Sequence, residues 1–81
     1  MRAFDNGSFY SVSLSASDVE SFKARWPCSG LPDAPVTFQY DKRNGDLVDI
    51  MGRYAHRFEG PAAVALSQDA QEYGRRRLKL G

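Results

Sequence analysis

The segment ARWPCSGLP, residues 24–32, carries the only cysteine of the chain, and His56 is its only histidine. A thiol becomes a nucleophile when a base, a cationic neighbour or a helix N-terminus lowers its pKa. Cys28 instead follows the C-terminal end of an expected helix, where the dipole disfavours a thiolate. The only base on offer, His56, is far away in sequence. The thiol enzyme built on Cys28 and His56 therefore ranks third among the functional readings, behind a cysteine packed structurally beneath Trp26. One Cys and one His fall short of a structural zinc site. Asp41, Asp46 and Asp49 lack the spacing of a calcium loop. The expectation is no metal and no cofactor, and no phosphate-cradling or nucleophile-elbow motif occurs.

Two other groups offer binding rather than catalysis. RRRLK, residues 75–79, contributes Arg75, Arg76, Arg77 and Lys79, and Arg53 and Arg57 are expected on the outward face of a late strand. Were these to converge, they would grip phosphates and make a nucleic-acid site. Against that, eleven Lys and Arg face ten Asp and Glu, giving a net charge of +1, so the chain is not a uniformly basic binder. The second group is aromatic. Phe9 falls on the strand face opposite Tyr10, Val12 and Leu14, where an exposed ring is able to anchor a protein partner or a second copy.

These side chains need elements to hold them. Eighty-one residues with 42% hydrophobic and 26% charged content read as one small globular domain, 1–81, with a thin core. Residues 1–7 are expected as an arm and 78–81 as a frayed tail. SFYSVSLS, residues 8–15, alternates like a half-buried strand. Ser17 and Glu20 suggest a capping box opening a helix over about 18–26, with Val19, Phe22 and Trp26 on its apolar stripe. VTFQYD and LVDI read as a hairpin. A three-residue loop, Arg43-Asn44-Gly45, sets Tyr40 opposite Val48, Phe38 opposite Ile50 and Lys42 opposite Asp46, keeping apolar faces together. RYAHRF, residues 53–58, reads as a further short strand. Pro61 opens a second helix that presents Ala62, Ala63, Leu66, Ala70 and Tyr73 on one face. The expected order is β-α-β-β-(β)-α: an α+β two-layer sandwich, with a three- to four-stranded antiparallel sheet and both helices on one face.

WPCSGLP, GDLVDI and GPAAVALSQDAQEYGRRRL, within residues 10–78, resemble small uncharacterised proteins of proteobacterial phages, plasmids and integrated mobile elements. The resemblance implies a small accessory protein of a mobile element and brings no activity with it. MRAFDNGSFY lacks the apolar run of a signal peptide, and no stretch is long and apolar enough to span a bilayer, so the expected compartment is the cytoplasm, away from membranes. The leading expectation is a non-enzymatic protein-interaction module that binds a protein partner or forms a homodimer. The alternative is nucleic-acid binding through the basic residues named above.

Overall fold

Alternation in FYSVSL produces a strand, β2 (Phe9–Leu14), that buries Tyr10, Val12 and Leu14 on one side. A computed structural model describes residues 1–80. A further strand, β1 (Arg2–Asn6), precedes β2 and pairs with it antiparallel, Asn6 facing Phe9 and Arg2 facing Ser13. The segment expected as an arm is thus an edge strand. Its turn, Gly7-Ser8, has Gly7 at φ +78° with Ser8 in an ordinary conformation, as a two-residue type II′ hairpin demands.

Ser15 then opens α1 (Ala16–Lys23). Its hydroxyl accepts from the Asp18 N–H (3.1 Å), and the Asp18 carboxylate accepts from the Ser15 N–H (2.9 Å). The capping box is therefore Ser15–Asp18 rather than Ser17–Glu20, because β2 ends at Leu14 and the chain must turn at once. The helix ends at Lys23, short of the expected 26. Arg25 and Trp26 donate to Phe22 and Lys23 in tightened turns ahead of Pro27. Val19 and Phe22 are buried, and Trp26 stacks on Phe22 at 6.0 Å while keeping 39% of its surface exposed.

β3 (Val36–Asp41) and β4 (Leu47–Met51) form the expected hairpin, with Phe38 opposite Ile50. Tyr40 lies opposite Leu47, not Val48, because a bulge interrupts the register beside Tyr40. The loop is longer than expected: Asp41 N–H donates to the Asp46 carbonyl (2.9 Å), and Gly45 N–H returns to the Asp41 carbonyl (2.8 Å). The Asp41 carboxylate accepts from the Arg43 amide, which favours turning at Asp41. The extra residue is absorbed at Val48. Gly45 is left-handed, as expected.

The expected strand at 53–58 does not form. Gly52, at φ +147° and packed over the Pro35 carbonyl, ends β4. A 3-10 turn, Ala55–Arg57, follows and delivers Phe58 into the core, edge-on to Phe38. α2 (Pro61–Arg77) then covers the sheet with Ala62, Ala63, Leu66, Ser67, Ala70 and Gly74 buried. Gly74 is a packing requirement: a Cβ there would sit 2.8 Å from Tyr10 and Val12 atoms. Past α2, Lys79 is left-handed (φ +56°), and Leu80 N–H and Lys79 N–H return to the Arg75 and Arg76 carbonyls. Residues 78–80 thus form a Schellman-type cap, and Leu78 and Leu80 pack against the core; position 81 of the expected tail lies outside the described residues.

The sheet order is β1-β2-β3-β4, an antiparallel meander. Both helices contribute to one core on one face, so the α+β two-layer sandwich of the sequence reading is present. The elements run β-β-α-β-β-α.

Candidate binding surface

The second face of the sheet is bare. Residue parity in the paired strands places Arg2, Phe4 and Asn6 of β1 there, with Phe9, Ser11 and Ser13 of β2, Thr37, Gln39 and Asp41 of β3, and Asp49 and Met51 of β4. Polar side chains occupy the middle and apolar ones the flanks. Phe4, Phe9 and Met51 are 41%, 37% and 38% exposed, so each keeps a surface to offer. Arg2 lies over the Phe4 ring at 5.7 Å. Ser11 is buried beneath this layer and accepts from the Asn6 amide (2.9 Å). Phe4 and Phe9 are diagonal neighbours across β1 and β2, a spacing of about 7–8 Å that aromatic rings bridge.

Strand pairing also decides which main-chain groups look outward. The pair flanking a two-residue turn exchanges both hydrogen bonds, so Asn6, Phe4 and Arg2 turn their amides towards β2. Ala3 and Asp5 turn theirs away from the sheet. The Lys42 N–H donating to the Ser8 carbonyl (3.1 Å) fixes the same parity on the other side of β2. Among the described residues, no acceptor meets the Ala3 or Asp5 N–H.

The basic residues do not converge. Arg53 and Arg57 are exposed in the connection ahead of α2, and Arg75, Arg76, Arg77 and Lys79 lie at its far end. Seventeen residues at the helical rise separate the groups by about 25 Å. No outward strand face carries Arg53 and Arg57, because no strand forms there. Arg75 is half-buried and donates to the Leu80 carbonyl (3.2 Å), fastening the helix cap. The Tyr10 hydroxyl donates to the Gln71 carbonyl (3.4 Å); burial pushes its pKa up, and the nearby Arg75 charge opposes the rise. Arg76 pairs with Glu72 at 2.5 Å. The cations that do gather near Arg77 are Arg2, Arg25 and Arg76, around Met1, with Asp69 and Glu72 among them. A groove of about 660 Å³ runs along α2 between Gln68, Gln71, Glu72, Arg75, Arg76 and Lys79. It too mixes charge of both signs.

Cys28 is exposed rather than packed beneath Trp26, and its backbone is left-handed at φ +64°. His56 lines a separate shallow groove against Leu47, Val48, Asp49 and Ile50 of β4. Among the described residues no three His, Cys, Asp or Glu side chains are grouped to hold a metal ion. No helix there is long and apolar enough to cross a membrane.

The sequence singles out Phe9 and groups Phe4 with it only as an N-terminal aromatic; its local pattern does not place Arg2 or Met51 on the same face. The signal was present: Asn6-Gly7-Ser8 is a hairpin turn, and RAFDN becomes a strand once that turn is recognised. Comparison with protein-family models, curated proteins and solved structures returns no match.

Proposed function

We propose that the chain is a non-enzymatic protein-interaction module that binds through the bare face of its sheet. The observation that carries this reading is the exposure of Phe4, Phe9 and Met51 on a face that no helix covers. Exposed aromatic and Met side chains are the groups that anchor recognition surfaces. Cys28 and His56 offer little against it, since both are exposed and lie in separate segments, Cys28 in the turn after α1 and His56 in the 3-10 turn. A cytoplasmic accessory protein of a phage or mobile element fits a small chain whose only cysteine is unpaired.

The test is affinity capture with the parent and with Phe9→Ala side by side, both checked for fold by circular dichroism. A protein retained by the parent and lost by the variant is the expected result. Identical captured sets would place binding elsewhere.

One observation favours a second reading, nucleic-acid binding: Arg2, Arg25, Arg76 and Arg77 share a corner of the molecule. It predicts NMR shifts around that corner on adding short duplex DNA or RNA at low salt, fading as salt rises. An unchanged spectrum at low salt removes it.

A further inference from the structure

We propose that the partner at the β1 edge is a second copy of this chain, joined by antiparallel β1–β1 pairing centred on Phe4. The inference rests on the protein-interaction reading and adds to it a second copy at the sheet edge that borders the bare face. It begins with the outward amides and carbonyls of Ala3 and Asp5, which a further strand can accept.

β1 is self-complementary in one register. With Phe4 of one copy opposite Phe4 of the other, Ala3 faces Asp5 and Arg2 faces Asn6. The Ala3–Asp5 pairs are then the ones that exchange main-chain hydrogen bonds, matching the groups β1 points outward. Phe4 against Phe4 is the non-hydrogen-bonded pair, in which side chains approach more closely, as two aromatic rings require. All of Arg2–Asn6 is used.

Other registers lose something definite. Displacement by two residues towards the turn sets Asp5 directly against Asp5, and like charges in that position destabilise. Displacement by two the other way pairs fewer residues and separates the rings. Displacement by one puts the helices of the two copies on opposite faces and Phe4 against Ala3. The favoured register keeps both helix layers on one side. It aligns Phe9, Phe4, Phe4 and Phe9 across the joined bare faces, so a continuous sheet runs through both copies.

The other edge of the sheet is closed to this. The Asp49 carboxylate accepts from the Ile50 N–H (2.9 Å), the bulge at Val48 breaks the row, and the Ala55–Arg57 turn packs against β4. Association through β1 therefore stops at two copies.

The experiment is analytical ultracentrifugation of the full chain over a range of concentrations, with Ala3→Pro and Phe4→Asp compared with the parent. Proline removes the outward N–H at position 3 without touching the β1–β2 ladder. Asp at position 4 sets like charges across the two-fold axis and leaves the β1 main chain intact. The parent is expected to dimerise as concentration rises, with hydrogen exchange of the Ala3 and Asp5 amides slowing in step. Both variants are expected to stay monomeric with unchanged circular dichroism. A parent that stays monomeric up to its solubility limit overturns the proposal, as does a dimer that survives Phe4→Asp. A monomer whose Phe9-dependent capture persists removes self-pairing alone. A dimer formed at β1 without any Phe9-dependent capture removes the bare-face reading alone.

Discussion

The two edges of this sheet are built in opposite ways. β4 spends its outward Ile50 amide on the neighbouring Asp49 carboxylate, is bulged at Val48, and is flanked by a 3-10 turn anchored through Phe58. β1 runs its full register against β2 without a bulge or a proline, and Ala3 and Asp5 point their main-chain groups away from the sheet. Strand edges are the places where one chain recruits another, and folded proteins usually block those not used. The asymmetry teaches that edge protection here is selective: three devices act along β4, while beside β1 the Tyr73 hydroxyl donates only to the Met1 carbonyl (2.7 Å) and leaves Ala3 and Asp5 open.

The largest effect is expected from Phe58→Ala. It removes a buried ring packed against Phe38 and detaches the turn beside β4, costing about 3–5 kcal/mol by urea denaturation. If the comparison holds, the variant also aggregates near its midpoint, because β4 loses its cover; clean, reversible unfolding at high concentration would break it. Next comes Gly52→Ala. At φ +147° and with a Cβ 3.1 Å from the Pro35 carbonyl, it should cost on the order of 1–3 kcal/mol. An unchanged melting temperature would show that the turn does not depend on that conformation. Asp49→Ala should lower stability by no more than about 1 kcal/mol while freeing the Ile50 amide. Ultracentrifugation should then show species larger than a dimer, and their absence would mean the bulge and turn suffice to close the edge.

The smallest effect concerns pH. The Lys42 ammonium, bonded at 2.6 Å, and the Gly7 amide hold the Asp5 carboxyl below its ordinary value of 3.8. A depressed folded-state pKa means that the contribution is present above the unfolded value and fades as acid protonates the folded state. The parent should therefore lose stability below about pH 4 more steeply than Asp5→Asn. Parallel acid limbs in the two proteins would show that this tie between β1 and the β3–β4 loop adds nothing.

The helix face of the sheet was legible because period is a strong signal: Tyr10, Val12, Leu14, Val36, Phe38 and Tyr40 alternate without exception, and all are buried. The boundaries were harder where two local signals compete. Ser15–Asp18 and Ser17–Glu20 both offer a cap, and only the end of β2 at Leu14 selects the first. Likewise Tyr54, His56 and Phe58 alternate as a strand would, yet Gly52 turns the chain before a strand can continue. The bare face was legible only in Phe9. Its other apolar members lie on β1 and β4, and strand pairing rather than local pattern brings them together. The basic residues show the limit in the other direction. A cluster that is tight in sequence includes Arg75, which its own helix cap occupies, and Arg53 and Arg57 stand a helix-length away.

Gly74 bears on how the chain is made. The helix that approaches Tyr10 and Val12 so closely at that glycine is translated after the whole sheet. A chain extended only through β4 has an apolar sheet face that α1 alone covers in part. The meander can pair early, since its neighbours in space are neighbours in sequence. Stable structure must wait until Leu66, Ala70 and Gly74 leave the exit tunnel. Folding of this domain therefore waits for α2, and an arrested chain ending before it is a natural client for chaperones.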